Sequence, residues 1–150
     1  MQPGSVAGTM VAGHQASQAS PQGLRNAAMF ANQLSRSGAL IISGLARGID
    51  GAAHRAASNT SSQYLTAAIC GTGLNIVYPQ EHQKLAAAIS QHGLLMSELG
   101  PGVGPKPFHF PRRNRIIAAL ALGVVVIEAT ENSRSLITAK IAADLGREVF

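Results

Sequence analysis

The sequence predicts an α/β domain with a doubly wound, mostly parallel sheet. Three observations carry that expectation. Short apolar stretches alternate with segments of helical period along the chain. Glycine, serine and asparagine punctuate the joins, as turns demand. The chain has 150 residues, 46% of them hydrophobic, which suits one domain with a packed core.

The elements follow in order. Met10 to Ala12 is a short first strand, inside a small polar segment spanning residues 1–20. The main domain is expected over residues 21–150. Pro21 to Ser37 is a helix, with Leu24, Ala27, Ala28, Ala31 and Leu34 at inward spacing and Gly38 as its stop. Leu40 to Ile42 is a buried strand, Ile49 to Ser58 an Ala-rich helix and Tyr64 to Cys70 a further strand. Glu81 to Gln91 is a helix, and Leu94 to Ser97 a strand. A Pro/Gly loop then runs from Gly100 to Pro107 before a helix over Arg113 to Leu122. Val124 to Glu128 is the most β-branched stretch and reads as a central strand. Ser135 to Leu145 is a helix closed by Gly146, and Glu148 to Phe150 begins another strand. Ending there predicts a sheet cut short at its carboxyl end, as in a fragment or an unusually short family member.

Composition excludes several classes. The longest apolar stretch, Ile116 to Ile127, is broken by Gly123 and does not read as a membrane span. Met1 to Ser5 lacks the basic and apolar regions of a signal peptide. Cys70 is the only cysteine, so no internal disulfide forms and a cytosolic setting is expected. No Cys/His spacing suits zinc, and no metal or cofactor is expected. The net charge of +5 and pI of about 10.2 favour a polyanion partner.

In a parallel sheet, ligands bind beyond the carboxyl ends of the strands, where four loops fall. The first, Ser43-Gly44-Leu45-Ala46-Arg47-Gly48-Ile49-Asp50, joins glycines and a cation to a helix start able to take an anion; Asp50 also suits a cap there. The second, Gly71-Thr72-Gly73-Leu74, lacks the third glycine of a dinucleotide loop and the Lys of a phosphate loop. The third runs Lys106-Pro107-Phe108-His109-Phe110-Pro111-Arg112-Arg113-Asn114-Arg115. Its cations can hold phosphates and its aromatic rings can stack unpaired bases, while Asn114 can bond a base edge. The alternative places Phe108 and Phe110 in the core and pairs the arginines with Glu98 or Glu128. In the fourth, Asn132-Ser133-Arg134-Ser135, a serine caps the next helix or meets a phosphate. Catalytic patterns are weak. Asp50 and His54 stand at i, i+4, which fits an ordinary helix-surface contact better than a catalytic pair, and no nucleophile elbow is present.

Taken in order, these motifs resemble the DprA/Smf family of DNA-processing proteins. The resemblance rests on the first loop with Ala53-His54, and on Gly71 to Asn75 followed by Val77-Tyr78-Pro79 and Glu81-His82. It continues through Ser97-Glu98, Phe110 to Ala118, Val124 to Ala129, Ser135 to Ala139 and Gly146 to Phe150. It implies an extended Rossmann-like fold that binds single-stranded DNA in a basic pocket above the sheet, without catalysis. It also implies a role in natural transformation, protection of incoming strands, help in loading the RecA recombinase, and a homodimer. By matching position it assigns phosphate contact to Gly44, Arg47, Gly48, Gly71 and Gly73, and the basic motif to Arg112, Arg113, Asn114 and Arg115. Lys106 and Phe110 fall near the family's phosphate-binding lysine and base-stacking aromatic; Ser133 and Ser135 join the expected site.

The sequence departs from the family pattern at two points. Gly13-His14-Gln15 stands where the family shows Gly-Ser-Arg or Gly-Thr-Arg, and the missing cation is expected to weaken DNA binding by about 1–3 kcal/mol. Arg134 stands where members usually have glycine. Two other functions remain open on the residues. One is a nucleotide-binding hydrolase of the phosphoribohydrolase kind, whose Pro-Gly-Gly-x-Gly-Thr-x-x-Glu motif this sequence lacks. The other is a degenerate scaffold that binds only proteins.

Overall fold

A computed structural model of the chain describes residues 8–12, 19–60, 66–129 and 133–150. Its strands are β1 (Gly8–Ala12), β2 (Leu40–Ser43), β3 (Thr66–Ile69), β4 (Leu94–Met96), β5 (Gly123–Val126) and β6 (Glu148–Val149). Its helices are α1 (Pro21–Arg36), α2 (Ile49–Ser58), α3 (Gln83–His92), α4 (His109–Leu120) and α5 (Arg134–Asp144), with a 3-10 turn over Gln80–His82. The sheet order is β4-β3-β2-β1-β5-β6, and every pairing is parallel. The chain winds outward from β1 to β4, then crosses to β5 on the other side of β1. That reversal is the doubly wound arrangement, with its switch point between β1 and β5.

Strand alternation builds a layer on each face of the sheet. Ile42, Ala67 and Ile69 point to one side and pack with Ile117, Ala118 and Ala121 of α4, Val124 and Ala142 of α5. Ile41 points to the other and packs with Ala27 and Ala31 of α1 and Ile49, Ala53 and Ala57 of α2. Ala68 and Cys70 extend that layer toward Leu85, Ala86 and Ile89 of α3. The rim of the sheet is barer: Leu94 and Met96 on β4 and Val149 on β6 are exposed.

Two helices differ instructively from the sequence expectation. The buried stripe of α1 is Gly23, Ala27, Ala31 and Ser35, while Leu24 and Leu34 are only partly buried beside it. Small residues four apart let α1 lie close against α2, and the leucines flank the contact. Ser20 caps α1 by accepting from Gly23 N–H at 2.9 Å, Pro21 opens it, and Gly38 closes it at φ 89°. Helix α4 starts four residues before the expected Arg113, with Pro111 inside its first turn. Proline is accepted there because a first-turn N–H has no helical partner to lose. The basic sequence is therefore helix, and helical spacing decides which way each of its side chains points.

Candidate nucleic-acid interface

The loop after β2 is pinned from three sides. Asp50 does not cap α2; Gly48 is the cap residue, at φ 77°. The Asp50 carboxylate instead reaches back over the loop, accepting from Ser43 Oγ at 2.8 Å and Ala46 N–H at 3.1 Å. His54 does not lie on the helix surface either. It is fully buried, with Nε2 2.6 Å from the Gly44 carbonyl and Nδ1 against Thr66 Oγ1. A carbonyl only accepts, so Nε2 carries the proton and Nδ1 of the neutral ring takes the threonine hydroxyl. Burial pulls the His54 pKa below its usual value. His82 Nδ1 holds the Leu45 carbonyl at 2.9 Å. The loop is thus fixed, and Arg47 projects from it into solvent.

The loop after β3 is a hub for the Pro/Gly segment. Gly73 N–H donates to the Val103 carbonyl at 2.9 Å, and Asn75 Oδ1 accepts from Gly102 N–H at 2.7 Å. Ser97 Oγ donates to the Thr72 carbonyl at 2.6 Å, and His109 Nδ1 approaches the Gly71 carbonyl at 3.2 Å. The glycines here make room for protein atoms. A Cβ on Gly73 would sit 2.3 Å from the Gly100 carbonyl oxygen, and one on Gly71 would sit 2.8 Å from the Phe110 ring. A Cβ on Gly44 would sit 2.6 Å from Asp50 Oδ2 and 2.7 Å from both terminal nitrogens of Arg113.

The basic sequence on α4 divides by helical position. Arg113 is only 4% exposed; its guanidinium donates to the Ile69 carbonyl through Nη1 and to Asn114 Oδ1 through Nε at 2.9 Å. It also lies 5.6 Å from the centroid of the Phe110 ring. Burial lowers its pKa, and the Asp50 charge pushes it back up. Arg112 and Arg115 point outward and share Glu98, Arg112 at 3.5 Å. The pairing with Glu98 follows one sequence alternative. The other half fails: Phe108 is exposed and Phe110 half-buried, and Glu128 is engaged elsewhere. At the fourth loop Ser133 caps α5 toward Leu136 N–H and Ser135 is buried. Gly13-His14-Gln15, which lacks the arginine of the family pattern, and Asn132 lie outside the described residues.

The structure thus separates the expected site residues. Arg47, Lys106 and Phe110 meet around one cleft of about 300 Å³, joined there by Tyr78 and Arg134. Its prolines, Pro79, Pro105 and Pro107, keep the walls stiff. Arg47 is held by Glu81 through Nε and, at 3.1 Å, through Nη2, and its guanidinium lies 5.8 Å from the centroid of the Tyr78 ring. Arg47 in turn draws the Glu81 carboxyl down to about 2. Sequence reasoning gave no role to Tyr78 or Glu81. The available signals were an aromatic beside a proline in a chain with 4% aromatics, and one of only seven acids placed near the loops.

A second anion-capable place lies at the switch point. There the Glu128 carboxylate accepts from Ser20 N–H at 3.1 Å and from Ser20 Oγ at the start of α1. This helix start is where a dinucleotide fold seats its pyrophosphate; here a carboxylate of the protein fills it. Among the described residues, no group of His, Cys, Asp and Glu is arranged to hold a metal, and no helix is long and apolar enough to cross a membrane.

A Rossmann-like parallel α/β domain with a cationic, aromatic cleft above its strand ends is the class defined by fold and site. Residues 9–150 match the family model for DNA recombination-mediator protein A. The chain belongs to this DprA/Smf family of DNA-processing proteins. It is 48% identical to Protein Smf of Escherichia coli over 123 residues, covering 81% of this chain and 32% of that protein. The X-ray structure of DNA processing protein A from Streptococcus pneumoniae matches with a TM-score of 0.88 and 42% identity, over 96% of this chain and 49% of that one. The Helicobacter pylori counterpart, solved for its single-stranded DNA binding mode, matches with a TM-score of 0.87 and 26% identity, over 97% and 64%. The chain spans about a third of the length of its E. coli relative.

Proposed function

We propose that this domain binds single-stranded DNA in the cleft formed by Arg47, Lys106, Phe110 and Arg134, without catalysing a reaction. The observation that carries the reading is the cleft itself: three cations and two aromatic rings meet in one place. Cations attract the phosphate backbone of any nucleic acid, while aromatic faces need bases that are not already paired. The Helicobacter pylori relative, described for single-stranded DNA binding, supports the choice of ligand.

Within the site, Arg47, Lys106 and Arg134 make the phosphate contacts and Phe110 meets a base. Gly48 brings the backbone close to the strand, while Gly44, Gly71 and Gly73 serve by letting Arg113, Phe110 and the Pro/Gly segment close in. Arg113 and Asn114 support the Phe110 platform. Arg112 and Arg115, sharing one carboxylate, extend positive charge along the strand's path, and Ser133 and Ser135 set the start of α5 that carries Arg134. Family membership supports the wider role, in which a cytoplasmic homodimer protects incoming strands during natural transformation and helps load RecA.

The test is a titration of labelled oligo-dT, and of the matching duplex, across a salt series, with circular dichroism on the same protein to establish folding. The expected result is preference for the single strand, with affinity falling steeply as salt rises. A folded protein that binds neither strand, or both alike, would overturn the reading.

A further inference from the structure

Tyr78 lies beside the phosphate-binding cations, yet the family resemblance gives it no role. It is 40% exposed and lines the cleft. Its position is held from several directions. Pro79, buried, follows it in the chain, the Arg47 guanidinium lies 5.8 Å from its centroid, and the Phe110 ring lies 5.5 Å away at 39°. Phe110 is in turn backed by buried Arg113 at 5.6 Å and seated against Gly71, which has no Cβ to push it away. Glu81 completes the arrangement by gripping Arg47 along two of its nitrogens. Both rings line the same cleft. A ring exposed to this extent loses apolar surface to water unless something covers it.

We infer that Tyr78 is a base-binding residue, which with Phe110 forms a two-ring wall that takes one unpaired base, while Arg47 beside it holds that nucleotide's phosphate. The inference rests on the proposed single-stranded DNA binding. It assigns the discrimination of single strand from duplex to Tyr78 as well as to Phe110: a paired base is stacked within its helix and does not present its face to the wall.

The test compares the parent with Tyr78→Ala, Tyr78→Leu and Tyr78→Phe on oligo-dT and on an abasic strand of the same length, which keeps the phosphates and lacks the bases. Tyr78→Phe is expected to bind like the parent. Tyr78→Ala and Tyr78→Leu are expected to lose about ten-fold or more on oligo-dT and to match the parent on the abasic strand. Tyr78→Leu keeps apolar bulk, so it covers the case in which the alanine variant unfolds. A Tyr64→Phe variant, whose only tyrosine is Tyr78, gives a direct optical readout: oligo-dT should quench its fluorescence and the abasic strand should not. A parent that binds oligo-dT, with Tyr78 variants that bind it equally well or lose equally on both strands, overturns the inference and leaves the proposed function standing. A folded parent that binds no oligo-dT overturns both.

Discussion

Two places beyond the carboxyl ends of the strands are built to take an anion, and they are finished in opposite ways. At the switch point, the start of α1 receives the Glu128 carboxylate from the protein's own β5 end. Above β2 and β3, the cleft gathers Arg47, Lys106 and Arg134, and among the described residues Glu81 is the one carboxylate paired with any of them. Position in an α/β fold nominates both places equally. Counter-charge separates them: the first is satisfied internally, and among the described residues the second has more cations than paired carboxylates. The same contrast recurs among the arginines. Arg113 is consumed by the Ile69 carbonyl and Asn114, whereas Arg47 faces solvent.

This contrast is open to attack at several points. The largest expected effect is on folding. Replacing Arg113 with Met strips the partners of a buried guanidinium and should lower unfolding free energy by about 3–5 kcal/mol, measured by urea denaturation. Arg115→Ala, at the surface, should change it by less than about 0.5 kcal/mol. Equal effects would erase the distinction between buried and exposed cations. Next is Glu128→Gln, which weakens the anion at the start of α1. It should cost about 1–2 kcal/mol in the same assay and leave oligo-dT affinity unchanged; a change in affinity would mean that the switch point takes part in binding.

A pH effect probes the loop that presents Arg47. The folded-state pKa of His54 is lowered by burial, so the unfolded chain takes up its proton first as pH falls. Stability from this group is complete above the usual value of 6.5 and is lost as pH falls below it. The melting temperature should decline from about pH 6.5 downward, and His54→Gln should flatten that decline. An equally steep decline in the variant would assign it to other groups. The smallest effect is at Glu81, whose removal unmasks Arg47. Glu81→Gln should tighten oligo-dT binding by roughly two- to five-fold at low salt, read by fluorescence anisotropy; weaker binding would show that the carboxylate helps by orienting Arg47.

The parallel architecture was legible because the strands are short, apolar and spaced by helical segments. The β-branched Val124-Val125-Val126 declared β5, and the alternation of strands and helices put the candidate loops beyond the carboxyl ends of the strands. What escaped were facts of direction. A run of cations reads as one patch in sequence, yet α4 turns Arg113 inward while Arg112 and Arg115 meet Glu98. The helix expected from Arg113 begins at His109, with Pro111 tolerated in its first turn. Asp50 and His54 looked like surface neighbours because spacing along a helix says nothing about which face is buried; their bonds run to Ser43, Ala46, Gly44 and Thr66. Glycines that suggest phosphate contact make room for Phe110 and the Gly100 carbonyl.

The most direct measurement is the salt dependence of oligo-dT binding for the parent and for the triple variant Arg47→Ala, Lys106→Ala, Arg134→Ala. Each phosphate neutralised on a single strand contributes about −0.7 to the slope of log affinity against log salt. If the cleft is the site, the triple variant should lose about 100-fold in affinity at low salt and its slope should flatten by roughly two units, with the melting temperature unchanged. A folded triple variant with the parent's affinity and slope would place the strand elsewhere on the molecule.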